Sequence, residues 1–437
     1  MDLHTRCKQQ LEPLHLLKGT GYYPYFRTIE KSFGTEVQVA GQRMIMVGSN
    51  DYLGLSHHPK VQEAAAEAAR KWGSGTGGSR FLCGNLALHE ELEERLAAFV
   101  GKKKAVVHAT GFMTNLGSIA SLLTSDDIII CDREDHASIF EGCKASGGKV
   151  IPFSHNDPDD ALRKLDKARG KNPKGCVVLI TEGVFSMSGD LAELPGLVKL
   201  KENHPDMLIY LDDAHGLGVM GPGGRGTAAH FDLNPQVDFI MGTFSKAFAS
   251  VGGFLAGDDE LLLEYVRHES RPLIFSAALP AANVATVLAS LTLIEQQPEM
   301  VERLMDITEK VRAGYAQIGL YVRNHGTPII PIYIGQEIKA FAVTQELFDK
   351  GVYALPAIFP AVPKGQAVIR TAFMANHEPH HIDRVLEVIE DLANKYSIRI
   401  PDLVEEGSLP ESVLDEHGGY TDQPQPTAQA VVGTGGE

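Results

Sequence analysis

The feature that most constrains the fold is a regular alternation of short apolar runs and helix-length segments along 105–241. The apolar runs cover 105–109, 128–131, 150–153, 177–181, 208–211 and 239–241. Most of them are separated by enough residues for a helix, which is typical of parallel strands joined by crossover helices. We therefore predict an α/β domain built on a mostly parallel, doubly wound sheet.

The patterns on either side of this region predict further parts of the chain. We expect an N-terminal segment over 1–57, a large ligand-binding domain over 58–285 and a smaller α+β domain over 286–400. The last part, 401–437, has eight acidic residues, no Lys or Arg and no apolar periodicity. Such a segment buries little apolar surface, so we predict a disordered acidic tail.

Composition narrows the class of partner. The chain has 40 basic and 56 acidic residues and a formal net charge of −16, which argues against nucleic acid as a partner. Its five cysteines form no Cys-x-x-Cys pair and no apolar leader begins the sequence, so we expect a reducing, cytoplasmic setting. No apolar run is long enough to cross a bilayer, so any membrane contact would be peripheral.

Polar side chains follow five of the predicted strands. In an open parallel sheet, ligands bind beyond the carboxyl ends of the strands. The residues at these ends are Thr110-Gly111-Phe112, Asp132 with His136, Glu182 with Ser186, Asp212-Asp213-Ala214-His215, and Thr243 with Lys246. Together they predict a polar pocket that combines a lysine, histidines and acids.

The residue types in this pocket suggest one ligand. Lys246 is a candidate Schiff-base lysine, and Asp212 could keep the nitrogen of a pyridine ring protonated. Gly111 would offer backbone amides at a helix start to a phosphate, and Thr243 would add a hydroxyl. Ring, phosphate and lysine indicate pyridoxal phosphate, although Asp212 could instead cap a helix or form an ion pair and Gly111 could be a tight turn.

Five spaced motifs carry a family resemblance. They are Gly242-Thr243-Phe244-Ser245-Lys246, Leu211-Asp212-Asp213-Ala214-His215-Gly216, Asp135-His136-Ala137-Ser138-Ile139, Asn50-Asp51-Tyr52-Leu53-Gly54 and Gly183-Val184-Phe185-Ser186-Met187. From about Tyr22 to about Leu392 the chain resembles the α-oxoamine synthases. These are fold-type I pyridoxal-phosphate enzymes that join an amino acid to an acyl-CoA with loss of carbon dioxide.

The resemblance implies a role for each residue of the pocket. Lys246 would hold the cofactor covalently and act as acid and base. Asp212 would pair with the pyridinium nitrogen, His215 with the ring oxygen, and His136 would stack on the ring face, which makes these four the candidate catalytic residues. The other cofactor contacts would come from Gly111, Phe112, Glu182, Ser186, Thr243, Ser245 and Ser276.

The resemblance also implies partners. Ser276 is similar to the position that completes the phosphate site of a neighbouring subunit, so a homodimer with shared active sites is implied. Arg370 would grip the substrate carboxylate in a bidentate fork, a task that suits arginine better than lysine. Asn50 and Arg27 would also contact the substrate, and no metal is expected.

The substrates are a finer question. Tyr23 to Arg27, Gly34 to Val37 and Thr243 to Phe254 look most like the bacterial members that condense serine with palmitoyl-CoA. The glycine-using members, 8-amino-7-oxononanoate synthase and 2-amino-3-ketobutyrate CoA ligase, share Lys246 and Arg370 and stay open. So do a same-fold aminotransferase, which needs no acyl-CoA, and a catalytically silent regulatory subunit.

Two further details shape the expectations. After Arg370 the family usually reads Ala-x-His-Thr, whereas this chain has Ala375-Asn376-His377-Glu378. That carboxylate on the substrate side puts the acyl or amino-acid preference in doubt. The run Lys102 to Lys104 could bind a CoA phosphate, but we predict a solvated turn there.

Overall fold

The chain is described from a computed structural model that covers residues 1–172, 174–323, 325–407 and 409. Backbone contacts divide it into two units. One consists of Met1–Ser49 with the described residues of Asp306–Asn324 and Pro328–Glu437, and the other of Asn50–Met305 and His325–Thr327. This division differs from the domain boundaries expected at 57 and 285, since the N-terminal segment belongs to the same unit as the C-terminal residues.

The elements are numbered in chain order. The helices are α1 Leu3–Gly19, α2 Pro59–Trp72, α3 Ala87–Phe99, α4 Gly111–Leu122, α5 Ala137–Ser146, α6 Pro158–Arg169, α7 Leu194–Lys199, α8 Thr227–His230, α9 Glu260–Glu269, α10 Arg271–Phe275, α11 Ala281–Gln296, α12 Glu299–Ile318, α13 Glu337–Asp349, α14 Pro379–Tyr396 and α15 Ile400–Glu405. The strands are β1 Lys31–Ser32, β2 Glu36–Val39, β3 Gln42–Met46, β4 Lys104–His108, β5 Ile128–Asp132, β6 Lys149–Phe153, β7 Val177–Glu182, β8 Leu208–Asp212, β9 Phe239–Thr243, β10 Gly253–Gly257, β11 Ile329–Gly335, β12 Val352–Tyr353, β13 Leu355–Ala357 and β14 Ala367–Ala372.

The unit that contains Asn50–Met305 is built on a seven-stranded sheet in the order β4-β10-β9-β8-β7-β5-β6. Strands β5 to β9 pair in parallel, and β10 is antiparallel to both of its neighbours. The predicted doubly wound, mostly parallel sheet is confirmed. Strand β10 was not predicted, because its five residues, Gly-Phe-Leu-Ala-Gly, are short and end in glycine.

The four inner parallel strands, β5, β7, β8 and β9, are buried along almost all of their length, as helices on both faces of a sheet require. All five residues of β5 and all six of β7 are buried. Strands β5, β7 and β8 each end one residue later than predicted, and β9 ends two residues later. Their last residues are Asp132 in β5, Glu182 in β7, Asp212 in β8 and Thr243 in β9. The polar groups therefore stand at the strand ends.

The unit that contains Met1–Ser49 has two small sheets. Strand β14 lies between β11 and β13, antiparallel to both. Strands β2 and β3 form a hairpin that turns at Ala40-Gly41, with φ of 50° and 78°. Because β3 also pairs in parallel with β12, residues far apart in sequence form one sheet, which local patterns do not reveal.

Two predictions about charged segments need correction. Lys102 is buried rather than solvated, and its Nζ donates to the carbonyls of Asn234 and Val237 at 2.6 and 2.7 Å and to Asp258 at 3.0 Å. The predicted disordered tail, 401–437, lies mostly outside the described residues, but its beginning is helical in α15. Among the described residues, no helix has the length and apolarity that spanning a membrane requires.

Candidate active site

The predicted pocket residues that follow β5, β7, β8 and β9 lie side by side, because these strands are neighbours in the sheet. Glu182 stands opposite Asp212 in the β7–β8 ladder, and Asp212 stands opposite Met241 in the β8–β9 ladder. Lys246 follows β9 and is half-buried. Its charge acts on both His136 and Glu182, so the structure brings these groups into one site.

Asp212 is held by neutral donors. Its Oδ2 accepts a hydrogen bond from Asn115 Nδ2 at 2.6 Å, and its Oδ1 accepts from the Ala214 N–H at 3.1 Å. Asn115, on α4, is fixed in turn by the Tyr210 hydroxyl at 2.9 Å and bonds Ser138 Oγ at 2.9 Å. The carboxylate is 3% exposed and is oriented without a cation among these bonds. No pattern in the sequence points to Asn115, which lies in the middle of α4.

Two further acids beside Asp212 favour their neutral forms. Burial, followed by the charge of Asp212, raises the pKa of Glu182 well above its usual range. Burial, then the charges of Asp132 and Glu182, does the same for the pKa of Asp135. Among the described residues, Glu182 Oε1 is buried without a hydrogen-bond partner. A buried acid that lacks a partner is costly, so the site favours a ligand that supplies a donor or positive charge.

His215 is positioned by a residue from the start of this unit. Its Nδ1 lies 2.7 Å from the hydroxyl of Tyr52, which is fully buried. The same hydroxyl lies 3.4 Å from Asn50 Oδ1. The motif Asn50 to Gly54 thus reaches His215 through Tyr52, to which the sequence assigned no role.

His136 is the N-cap residue of α5. Its Nδ1 lies 2.7 Å from Ser138 Oγ and accepts from the Ser138 N–H at 3.3 Å. Burial and the charge of Lys246 lower its pKa, while Asp212 acts in the opposite direction. The net shift favours a neutral imidazole near pH 7, which suits stacking on an aromatic ring. The ring of Phe112 meets it edge to face at 6.5 Å between centroids.

The start of α4 forms a close contact with the end of β9. Gly111 is the first residue of α4, and a Cβ built there would lie 2.6 Å from Thr243 Oγ1. Thr243 Oγ1 in turn lies 2.9 Å from Ser245 Oγ and donates to the Gly252 carbonyl at 3.0 Å. A helix N-terminus with two adjacent hydroxyls is suited to a phosphate.

The remaining predicted contacts are less centrally placed. Ser186 is half-buried in the loop after β7, and Ser276 is the half-buried C-cap of α10. Arg27 and Arg370 belong to the other unit. There Arg27 Nη2 donates to Gln345 at 2.6 Å and its guanidinium lies 4.0 Å from the centre of the Phe348 ring. Their substrate roles stay predictions from the resemblance.

The departure at Glu378 has a structural explanation. Glu378 is exposed and is the N-cap residue of α14, and its backbone N–H donates to Nδ1 of His381 at 3.0 Å. A carboxylate is favourable at a helix N-terminus. The replacement of the usual threonine therefore fits a helix cap.

The residues of the site fit pyridoxal phosphate. The contact at Gly111 leaves the α4 N-terminus open for a phosphate beside Thr243 and Ser245. The fixed Asp212 carboxylate suits a cationic ring, and the unpartnered Glu182 oxygen could accept a hydrogen bond from the cofactor. Lys246 lies within electrostatic reach of His136, the residue expected to stack on that ring. These features use side chains and backbone that are already in place.

Known proteins share this arrangement. The family model described as aminotransferase class I and II matches residues 42–389. Serine palmitoyltransferase of Bacteriovorax stolpii is 44% identical over 388 residues, which are 89% of this chain and 91% of that protein. The 8-amino-7-oxononanoate synthase of Thermoanaerobacter pseudethanolicus is 38% identical over 387 residues, which are 89% of this chain and 97% of that protein.

A solved structure gives the same result. A serine palmitoyltransferase with its PLP internal aldimine superposes with a TM-score of 0.87 at 32% identity, over 91% of this chain and 100% of that chain. The agreement spans both the sheet and the C-terminal elements. The chain belongs to the class I and II aminotransferase family and, within it, to the α-oxoamine synthases.

Proposed function

We propose that the protein is a pyridoxal-phosphate-dependent acyltransferase that condenses L-serine with palmitoyl-CoA, giving 3-ketodihydrosphingosine, CoA and carbon dioxide. The single observation that carries the cofactor chemistry is the Asp212 carboxylate, buried and oriented by Asn115 in the same site as Lys246 and His136. The 44% identity to a serine palmitoyltransferase supports the choice of serine.

Residues from several elements would hold the cofactor. Gly111, Thr243 and Ser245 would bind the phosphate, and Asp212 would hold the proton of the ring nitrogen. His136 would cover the ring face, and Lys246 would attach the cofactor covalently. When bound, pyridoxal phosphate supplies an electron sink that stabilises negative charge at the α carbon of an amino acid.

The acids of the site have separate tasks. Burial and mutual repulsion favour neutral Glu182 and Asp135, so these two do not compete with Asp212 for the cationic ring. Neutral Glu182 could also donate a hydrogen bond through its carboxyl proton. The hydrogen bond from Asn115 holds the Asp212 carboxylate in one orientation, in which it would keep the ring nitrogen protonated.

Lys246 would transfer the protons of the reaction. Its Nζ would remove the α proton of the amino acid and later return a proton to the same carbon. A base that works near neutral pH must be partly desolvated, and Lys246 is half-buried. The neutral ring of His136 adds no second positive charge beside that amine.

A second candidate is a glycine-using α-oxoamine synthase. It is supported by the 38% identity to an 8-amino-7-oxononanoate synthase over 89% of the chain. The cofactor residues would serve both reactions equally. A same-fold aminotransferase is less well supported, although the family model includes that class.

The assembly and location are also part of the proposal. We propose a cytoplasmic homodimer in which Ser276 completes the neighbouring phosphate site. Ser276 directly follows Phe275, whose side chain is 81% exposed on this chain. The five cysteines are free, which fits a reducing compartment.

The decisive test removes the proposed amine. Lys246→Ala should lower turnover of serine with palmitoyl-CoA by at least about 10³-fold and abolish the covalent cofactor absorbance, because anchor and base are lost together. Lys103→Ala is the matched control, since Lys103 is an exposed lysine of the same unit. An active Lys246→Ala enzyme would refute the proposal.

The substrates are tested by CoA release. Serine, glycine, alanine and threonine are each offered with palmitoyl-CoA and with pimeloyl-CoA. We expect serine with palmitoyl-CoA to be the most productive pair. Turnover only of glycine with pimeloyl-CoA would establish the second candidate instead.

A further inference from the structure

Two loops border the candidate site. The β5 loop, residues 132–136, begins at Asp132, the last residue of β5, and ends at His136. The β7 loop, residues 183–191, follows Glu182 and carries Ser186. Both are contacted by His155 and Asn156, which come just after the edge strand β6. The proposed chemistry gives neither of these two residues a role.

His155 lies between two buried carboxylates. Its Nδ1 is 3.0 Å from Asp132 Oδ1, and its Nε2 is 2.6 Å from Asp190 Oδ2. The side chains of Asp132 and Asp190 are 0% and 7% exposed. Ionised carboxylates only accept hydrogen bonds, so both ring nitrogens must donate and the ring is an imidazolium.

The surroundings hold this ion in place. Burial opposes the charge, but the bonds to Asp132 and Asp190 raise the pKa of His155 to about 10. Phe185, in the β7 loop, meets the ring edge to face at 4.4 Å between centroids. Glu134 lies 3.8 Å from His155 Nε2, and the charge of His325 also acts on Asp190. The ring therefore has little freedom to rotate away from either carboxylate.

Asn156 adds a second connection between Asp132 and the β7 loop. Its backbone N–H donates to Asp132 Oδ2 at 2.8 Å, while its Nδ2 donates to Asp190 Oδ2 at 3.1 Å and to the Leu191 carbonyl at 2.8 Å. Its φ of 53° is in the left-handed region, which asparagine tolerates better than most residues. Two consecutive residues thus each bond both loops.

Asp132 and Asp190 also hold the backbone of the loops to which they belong. The Asp132 carboxylate accepts from the Glu134 N–H through Oδ1 at 2.9 Å. The backbone carbonyl of Asp190 accepts from the Phe185 N–H at 3.0 Å, and Thr327 Oγ1 donates to the neighbouring Gly189 carbonyl at 2.5 Å. A shift of Asp132 or Asp190 would therefore move the backbone that leads to His136 or to Ser186.

We propose that His155 is a positioning residue whose imidazolium joins Asp132 to Asp190 and thereby fixes His136 and Ser186 relative to each other. The inference rests on the proposed function insofar as that function assigns both residues to the cofactor. A neutral side chain at 155 would leave two buried carboxylates without their shared cation, which is strongly unfavourable. One carboxylate would then take up a proton or draw in water, and the loops would separate.

The test compares His155→Gln, Asp190→Asn and the double variant in the holoenzyme by hydrogen–deuterium exchange, without substrate. His155→Gln should speed exchange of the β5 and β7 loop amides by at least about tenfold, since their anchors loosen. In the double variant the loop amides should exchange more slowly than in His155→Gln, because one of the two unpaired carboxylates has been removed. His204→Gln is the matched control: His204 Nε2 lies 2.8 Å from Asp166, a carboxylate whose side chain is 60% exposed.

A second readout is the visible circular dichroism of the bound cofactor, which should weaken in His155→Gln and not in His204→Gln. Unchanged exchange in either loop, or equal loosening in the control, would overturn the inference. If His155→Gln does not fold, the test rests on Asp190→Asn, in which amide exchange should become faster in the β7 loop and not in the β5 loop. Unchanged exchange of the β7 loop in that variant would also overturn the inference. Hydrogen–deuterium exchange is measured without substrate. A wild-type enzyme with slowly exchanging loops but no turnover would therefore contradict the proposed function and not the role of His155.

Discussion

Asp212 and Asp213 are neighbours in sequence, yet their side chains have different environments. Asp212 accepts from Asn115 within the site. Asp213 accepts from the Thr227 N–H and hydroxyl at 2.7 and 2.6 Å, and a Cβ on Gly216 would lie 2.0 Å from its Oδ1. Burial raises the pKa of Asp213 to about 6. Asp213 thus supports the following turn, and only Asp212 is available to a ligand.

The charge of His155 predicts a pH dependence at the scale of one residue. Its pKa is raised from 6.5 to about 10 in the folded protein, so its stabilising effect is complete below pH 6.5 and is lost as pH rises to about 10. Over that window the free energy of unfolding should fall by as much as about 5 kcal/mol more in the wild type than in His155→Gln. Urea denaturation across this range measures the difference, and parallel curves would contradict it.

The position of helix α4 depends on glycine at its first residue, Gly111, which has no Cβ. Alanine would favour an isolated helix over glycine. At Gly111, however, a Cβ would lie 2.6 Å from Thr243 Oγ1, and one at Gly253 would lie 2.9 Å from the Gly111 Cα. Close approach of α4 to β9 and β10 therefore outweighs helix propensity at this position.

Gly111→Ala should push α4 away from Thr243. We expect a stability loss of about 1–3 kcal/mol from overpacking, and cofactor retention on gel filtration should fall at least about tenfold because the phosphate site is displaced. Absorbance and thermal unfolding report the two effects. Gly19→Ala is the control, since no atom lies within 4 Å of its added Cβ, and it should change stability by less than about 0.5 kcal/mol. Full cofactor retention in Gly111→Ala would argue against the phosphate assignment.

At the scale of the whole molecule, large apolar side chains remain exposed on the single chain. Phe275 is 81% exposed, Leu82 78% and Phe81 53%. Exposed side chains of this kind often mark a surface that another protein covers. They lie in the same unit as Ser276, the residue expected to reach a second subunit.

Phe275→Glu should therefore convert the proposed homodimer to a monomer. A charge in an apolar interface is costly to bury, and the monomer would lose turnover because Ser276 no longer reaches its neighbour. Sedimentation velocity gives the oligomeric state and CoA release gives the activity. Leu261→Glu, on α9 and 77% exposed in the wild type, should stay dimeric. A dimeric, active Phe275→Glu enzyme would exclude Phe275 from the interface.

Local patterns were sufficient to predict strands β4 to β9 and to propose the main site residues. Apolar runs of strand length located β4 to β9, and the rule that ligands bind at strand ends pointed to Asp212, Thr243 and Lys246. These features depend on residues close together in sequence, or on the common direction of parallel strands. The short antiparallel β10 and the pairing of β3 with β12 have no such local signal.

What the sequence by itself determined is the cofactor chemistry that it predicts, from a lysine after β9, an acid at the end of β8 and a helix start after β4. The tertiary structure decided how these groups are held. Asn115 orients Asp212, Tyr52 reaches His215, and His155 joins Asp132 to Asp190. The partners in the first two pairs are 97 and 163 residues apart. Hydrogen bonds and burial depend on distances in space, so only the folded chain reveals these supports and the raised pKa of His155.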